Sequence, residues 1–386
     1  MATANGTAQS SFSGAKGDSE HFIAVTAPSQ ASLEEQISYV ETRYEDMVRS
    51  LGLEPETAVF RRLFVSDAMN QAQLVNQTAL AGETPDSPVA VSIIQQPPLP
   101  GSKISMLAYH LKSVAPVKKQ RLSKSHVVVE KNGLRHLWST RLCTCDDIGE
   151  HTAEDQTRRI FDDLIGTLKG QGGTLRDDCV RTWIYLKDVD VFYQGMVDSR
   201  RELFARHGMN GSSHYIASTG IEGACAHRHD LVAMDAYSVV GLKPQQVSYL
   251  NDFDHLNLTK EYNVTFERGT RIAYADRSHF FISGTASIDR NGEVVHKGDV
   301  MRQLERALEN IDALLASGGA GLEDMKYLIV YLRDATDYAC IKQYLDLHHA
   351  GLPVFIVEGA VCRPEWLVEV EGVAVAANED PALPAF

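Results

Sequence analysis

The sequence predicts an α+β protein made of three tandem units of one plan, each with helices on one face of a sheet. Two observations carry this. Gln36 to Asp67, Gln156 to Asp188 and Gln303 to Asp334 are separated by 31, 32 and 31 residues. Each stretch also closes on an apolar strand ending in Asp: RRLFVSD, RTWIYLKD and LIVYLRD. Shared spacing and a shared end signature mark an internal repeat, and one strand-rich unit with helices on one face is a two-layer sandwich.

The elements follow in order. Residues 1–19, MATANGTAQSSFSGAKGDS, are small and polar, lack the apolar core of a signal peptide and read as a disordered lead. The first unit spans residues 20–111, with a second helix expected over Met69–Ala79 and closing strands over Val89–Ile94 and Ile104–Leu111. A basic, proline-containing linker, Lys112–Lys124, leads to the second unit at 125–241, whose second helix is expected over Gly195–His207. A polar, aromatic linker, Leu242–Thr265, leads to the third unit at 264–377.

The third unit is the clearest. A hairpin, Arg271–Tyr274 and His279–Ser283, flanks Ala275–Ser278, and a third strand is expected to end near Asp289. Met301, Leu304, Leu308, Ile311 and Leu315 form one helical stripe. Gly318-Gly319-Ala320-Gly321 stops it. Tyr327–Leu332 is nearly all apolar, as a strand covered on both faces must be. A second helix over Tyr338–His349 and strands over Val354–Val357 and Leu367–Val375 complete the unit.

Composition narrows the function. The chain has 386 residues, 44% of them hydrophobic, which is enough for full cores. A net charge of -14 argues against nucleic-acid binding through a basic surface. No apolar run is long enough to span a bilayer. Six scattered cysteines suit free thiols in a reducing cytoplasm. Cys143-Thr144-Cys145, with His227 and His229 downstream, matches no common zinc spacing, so no metal site is expected.

The segment Ala360–Val375, AVCRPEWLVEVEGVAV, carries the chemistry. In a strand, Glu369 and Glu371 share one face, with Val368 and Val370 on the other. If that face lines a cleft, desolvation raises the carboxyl pKa and suits it to donating a proton. The matching positions in the second and first units hold Ala233 and Ser105, so only the third unit supplies a general acid there.

FERGT (Phe266–Thr270), YAD (Tyr274–Asp276), ISGTASID (Ile282–Asp289), GDV (Gly298–Val300), VYLRD (Val330–Asp334) and VCRPEWLVEVEGVAV resemble the YjgF/RidA superfamily, and within it the chorismatases. QVSY (Gln246–Tyr249) and the second unit resemble the degenerate N-terminal half of those enzymes. The resemblance covers roughly Val127 to Val375, and the first unit is extra. It implies three tandem RidA-like (chorismate-mutase-like) α/β sandwich units. They would form an intramolecular pseudo-trimer with the site at a seam of the third, in a chain that is monomeric or homo-oligomeric.

The implied activity is cleavage of the enolpyruvyl ether of chorismate to pyruvate and a hydroxybenzoate, 3-hydroxybenzoate being favoured. Glu369 would be the acid, and this chemistry requires no metal or organic cofactor. Two carboxylates on the substrate call for arginine forks. Arg333, at the end of the central strand, and Arg268 and Arg181, in the FERG and RTW segments, are the candidates. Tyr249, Tyr262 and Tyr185 are candidates for ring contacts or hydrogen bonds.

In the chorismatases a Cys at the position of Cys362 accompanies 3-hydroxybenzoate formation. The associated position, in the turn before SGTAS, is then Gly. Here it is Ala275, which departs from that pattern. Two other functions remain open. A RidA-type enamine or imine deaminase would carry an arginine shortly after Pro353, where this chain has Val354 and Phe355. A non-catalytic protein binding a small carboxylic acid would account for the two degenerate units.

Overall fold

A computed structural model of the chain describes residues 6–144, 151–257 and 265–386. Tyr262 and Cys145 lie outside the described residues. The first unit contains β1 (Thr7–Ser13), β2 (Ser19–Thr26), α1 (Leu33–Ser50), β3 (Ala58–Val65), α2 (Ala68–Asn76), β4 (Ala90–Gln95) and β5 (Ile104–Lys112). The second contains β6 (Lys118–Arg121), β7 (His126–Lys131), β8 (Leu134–Leu142), α3 (Ala153–Gly170), α4 (Leu175–Asp178), β9 (Cys179–Leu186), α5 (Val189–Arg206), β10 (Ala217–Glu222) and β11 (Val232–Val240). The third contains β12 (Val247–Tyr249), β13 (Gly269–Ala273), β14 (Arg277–Ala286), α6 (Val300–Ser317), β15 (Met325–Leu332), α7 (Tyr338–His348), β16 (Val354–Glu358) and β17 (Val368–Ala377).

Each unit builds one mixed sheet, ordered β1-β2-β5-β3-β4, β10-β9-β11-β8-β7-β6 and β12-β13-β14-β17-β15-β16. The same three-strand heart recurs. β3, β9 and β15 each pair in parallel with the next strand and antiparallel with the last strand of their unit. The register places Glu369 opposite Tyr331, Ala233 opposite Tyr185 and Ser105 opposite Phe64, so the three positions compared in the sequence are equivalent in space.

The repeated Gln and Asp have structural causes. Gln36, Gln156 and Gln303 are buried on the first long helix of their units. Their side-chain oxygens accept from Lys103 N at 2.7 Å, Leu231 N at 2.7 Å and Leu367 N at 2.8 Å, clamping the start of the final strand. Asp67 and Asp188 cap α2 and α5, accepting from Asn70 N and Val191 N, and Asp334 caps the 3-10 turn Ala335–Asp337 ahead of α7, accepting from Thr336 N. In α6 the stripe Leu304, Leu308, Ile311 and Leu315 is buried, and Gly318 caps it while Gly319 takes φ +84° beyond.

Some expectations need correction. The lead is not disordered throughout, because Thr7–Ser13 pairs antiparallel with Ser19–Thr26. It is an edge strand, so its polar side chains face water and leave no apolar pattern to read. The two linkers likewise contribute the edge strands β6 and β12. β14 is one strand through Ala286, and only an Ile288–Val294 bridge follows where a third strand was expected.

The three sheets converge on a common axis. Phe22 and Tyr109, Trp138 and Tyr237, and Phe281 and Tyr327 surround a cavity of about 40 Å³ there. The terminal Phe386 ring covers one end, edge-on to His136, Tyr274 and His279. Glu20 is buried at this end, accepting from Arg277 Nη1 at 2.7 Å and Tyr109 OH at 2.8 Å, with His279 Nε2 at 3.0 Å. His279 and Arg277 hold its carboxyl down at about 2 against the effect of burial.

Three seams close the ring, each with one antiparallel bridge: Gln95–Ala224, Ile221–Val361 and Pro98–Val357. The chain is therefore a pseudo-trimer within itself. No helix among the described residues is long and apolar enough to cross a membrane.

Candidate active site

Glu369 lies at the seam of the second and third units, on β17, and is 6% exposed. β14 bulges between Ile282 and Thr285, opposite Glu371 and next to the Thr285–Val370 and Ala286–Glu369 pairs. The bulge holds Gly284, and any Cβ there would overlap Glu369 Oε1. Gly284 N donates to Thr219 Oγ1 of β10 at 2.8 Å, and Ser218 N donates to Ser283 Oγ at 2.9 Å, which stitches the second sheet to the third beside the carboxyl.

The charges around it are sorted. Glu371, on the same face of β17, takes Arg181 Nη2 at 2.5 Å, Trp183 Nε1 at 2.8 Å and Tyr331 OH at 3.0 Å, and also bonds Thr219 Oγ1. Arg62, from the first unit, bonds Asp235 Oδ2 at 3.1 Å and lies 3.9 Å from Glu371 Oε1. Ser92 and Tyr185 also donate to Asp235. Arg62 and Arg181 lie 4.6 and 4.8 Å from the Trp183 ring centroid.

Two cations and two carboxylates thus form a balanced buried cluster. Glu369 forms no ion pair within it among the described residues. Burial pushes its carboxyl up to about 8, Glu371 adds to the rise, and Arg181 and Arg268 oppose it. At neutral pH the group carries its proton in a water-poor seam.

Around that proton stand a thiol, a phenol and buried guanidiniums. Cys362 hydrogen-bonds with the Tyr193 hydroxyl of α5, and burial raises the thiol to about 12, so the sulfur stays protonated. Arg200, also of α5, is buried. It donates to Thr265 Oγ1 at 3.0 Å and Ser218 Oγ at 3.4 Å, while its Nη2 has no partner among the described residues. Arg268 is buried with one nitrogen 3.4 Å from Asn257 Oδ1, and desolvation lowers it to about 10 while Glu369 opposes that. Arg363 lies 4.7 Å from the Trp366 ring centroid and lowers both Arg268 and the Cys362 thiol through its charge.

Several expected site residues are elsewhere. Arg333 spends its fork on Asp190, at 2.8 and 3.1 Å, and on Val361 O at 2.6 Å, near the surface. Arg181 is committed to Glu371 and serves the buried cluster. Tyr185 is likewise bound to Asp235.

Ala275 lies in the turn before β14, bonded to Pro384 O through its N and to Asp380 N through its O. The register pairs Arg277 with Ala377 and Ala286 with Glu369, so this turn is at the far end of the sheet from Glu369. At ~3.3 Å per residue, the separation along β17 is roughly 25 Å. The small residue touching Glu369 is Gly284. Tyr249 stacks on His214 with centroids 4.5 Å apart and makes no contact with Glu369 among the described residues. Arg268, Cys362 and Glu369 do come together.

Arg200 and Tyr193 escaped the sequence reading. A signal existed, because Arg200 sits among Met196, Val197, Leu203 and Phe204, all buried on one helix. An arginine inside an apolar helical stripe needs a reason to be there. Phe355, where a deaminase would carry its arginine nearby, packs on Phe64 of the first unit with centroids 5.2 Å apart.

The sequence profile described as Endoribonuclease L-PSP matches residues 270–376. Over 96 residues, 24% of this chain and 76% of the relative, the chain is 33% identical to the 3-aminoacrylate deaminase RutC of Acinetobacter baylyi. It is 36% identical to a RutC family protein of Pyrococcus abyssi over 97 residues, 24% of this chain and 76% of that protein. It is 31% identical to the 3-hydroxybenzoate synthase of Streptomyces hygroscopicus over 105 residues, 25% of this chain but 31% of that longer protein. A crystal structure of a chorismatase superposes on 83% of this chain and 93% of its own, with a TM-score of 0.62 and 18% identity.

Proposed function

The chain belongs to the YjgF/RidA superfamily, and from the proton held on Glu369 we propose that it is a chorismatase-like enzyme. It would release pyruvate from chorismate and leave a hydroxybenzoate, with 3-hydroxybenzoate favoured. The observation that carries this is a buried carboxyl, pushed up to about 8, in a seam that also holds the buried guanidiniums of Arg200 and Arg268. The similarity to a 3-hydroxybenzoate synthase over one quarter of the chain supports the product class.

The chemistry follows from the groups present. Glu369 donates its proton to the methylene carbon of the enol ether, giving an oxocarbenium ion. Carbon protonation is slow, so an aimed acid with a raised pKa is worth about 10²–10⁴ in rate. The ring's own 4-hydroxyl then attacks C3, losing its proton as the C3–O bond breaks and pyruvate leaves, which gives a 3,4-epoxide. Reprotonation of the epoxide oxygen, opening at C4 and loss of the C3 proton leave 3-hydroxybenzoate, whereas direct loss of pyruvate and the C4 proton would leave 4-hydroxybenzoate; neither route consumes water. Arg200, whose Nη2 has no hydrogen-bond partner among the described residues, is the cation proposed for a substrate carboxylate, with Arg268 and Arg363 adding positive charge to the site. Cys362, as a neutral thiol hydrogen-bonded to Tyr193, would pass a proton during aromatisation rather than attack carbon, a role its raised pKa supports.

A second reading, a deaminase of enamines or imines, is favoured by the identity with RutC. The apolar Phe64–Phe355 contact weighs against it. Incubation with chorismate, with pyruvate and aromatic acids followed by chromatography, tests the proposal. Turnover that disappears in Glu369→Gln supports it. Turnover of a 2-aminoacrylate imine without chorismate turnover would establish the second reading, and inactivity on both would point to a carboxylate-binding protein.

A further inference from the structure

The end of β8 and the loop between β10 and β11 bring Cys143 together with His227 and Asp230, which lie 84 and 87 residues further along the sequence. One potential ligand atom from each, a thiol sulfur, an imidazole nitrogen and a carboxylate oxygen, lies within 4.8 Å of the other two. None of these residues belongs to the Glu369 seam. We propose that this trio is a binding site for a divalent transition metal of the zinc class, which ties the β8 end to the β10–β11 loop.

The carboxylate makes the strongest case. Asp230 is 4% exposed. Its Oδ1 accepts from Thr144 Oγ1 at 3.4 Å, but its Oδ2 is buried without a hydrogen-bond partner among the described residues. A buried carboxylate oxygen left so is costly unless a cation meets it.

The ligand set and the scaffold both fit. Sulfur, nitrogen and oxygen donors together suit zinc, cobalt and their neighbours rather than magnesium or calcium. Three protein ligands leave a fourth, open position for water. A tetrahedral zinc site brings ligand atoms to roughly 3.3–3.8 Å of one another from bonds of about 2.0–2.3 Å. The trio therefore needs to contract by about 1 Å, and exposed His227 is free to swing.

The loop itself is held. Gln156 donates to His229 O at 2.7 Å and accepts from Leu231 N at 2.7 Å, while Lys187 donates to Arg228 O at 2.8 Å. Binding exchanges the thiol proton for the metal and releases it to solvent. The cysteine and histidines lay far apart in sequence, and the acid came from neither motif, so spacing alone could not assemble the set.

The test uses the full chain, stripped with a chelator, dialysed and titrated with cobalt(II) and then zinc. One cobalt should bind per chain with a thiolate-to-metal charge-transfer band, zinc should displace it, and zinc should raise the unfolding temperature. Cys143→Ser should abolish the band, and His227→Ala should weaken zinc binding at least tenfold. Cys340→Ser, on α7, should change neither. Circular dichroism identifies any variant that fails to fold, in which case the remaining variant decides. Absence of the band in the folded wild type, its persistence in Cys143→Ser, or zinc affinity unchanged in His227→Ala would each overturn the proposal.

Discussion

Arg181 Nη2 lies 2.5 Å from Glu371 Oε2, and that contact divides the labour between the two carboxyls of β17. Glu371 is neutralised within a cluster of Arg62, Arg181 and Asp235, whereas Glu369, two residues earlier on the same face, has a glycine bulge and a seam around it. One acid is bound by groups of the first and second units and ties all three units together. The other keeps its proton because Arg181 and Arg268 offset its burial only in part.

The arginines separate by function. Arg333→Ala should change kcat/KM for chorismate by less than about twofold, since an exposed ion pair is worth at most ~1 kcal/mol and its fork already has partners. Arg200→Met should lower kcat/KM by about 10–100-fold, the cost of a lost charged hydrogen bond. Steady-state kinetics on the two variants checks this. Equal losses would return Arg333 to the site.

Glu369 should cost the fold stability as pH rises. Its carboxyl is raised from 4.5 to about 8. Below 4.5 both folded and unfolded chains hold the proton. Above it the unfolded chain releases the proton first, so stability falls until about pH 8 and then levels. Glu369→Gln removes this penalty and should stabilise the protein by on the order of 3 kcal/mol at pH 7. Denaturant unfolding at pH 5 and pH 7.5 would show a gain at the higher pH only.

Glu20 should behave in the opposite sense. Its carboxyl is held down at about 2, so its stabilisation is complete above 4.5 and is lost as pH falls towards 2. Glu20→Gln should destabilise the protein at pH 7 by about 3–5 kcal/mol, because Arg277 loses a buried partner. The same variant should lose little further stability on acidification below pH 4, measured by circular dichroism, where wild type loses more.

Cys362 should steer products rather than drive turnover. Cys362→Ala should release pyruvate within about tenfold of wild type, because Glu369 makes the first proton transfer. The share of 3-hydroxybenzoate among the aromatic products should fall. The raised thiol pKa also predicts slow alkylation of Cys362 by iodoacetamide at pH 7, read by peptide mass spectrometry. Rapid alkylation, or an unchanged product ratio, would remove Cys362 from this role.

Much of the architecture was legible because the repeat has physical causes. Gln303 clamps the start of β17 and Asp334 caps the 3-10 turn after β15, and the Gln clamp and Asp cap recur in each unit. Periodicity found α6 and the buried strand β15. It missed β1, β6 and β12, because edge strands need only one partner and tolerate Lys, Ser and Gln outward.

The acid was legible for the same reason: Glu369 stands where the equivalent strands carry Ala233 and Ser105. Its cationic partners were not. Whether an arginine grips a substrate or a neighbour depends on the far side of a seam. Arg333 meets Asp190, Arg181 meets Glu371, and Arg200 retains an unpartnered nitrogen.

The central claim is that a proton stored on Glu369 is delivered to carbon. Its most direct test is the pH dependence of pyruvate release from chorismate by wild type and Glu369→Gln. Wild-type kcat/KM should hold level and then fall along a single deprotonation near pH 8, and the variant should be slower by about 10²–10⁴ with no such bend. A folded wild type that releases no pyruvate, or a Glu369→Gln variant that matches it, would contradict the account.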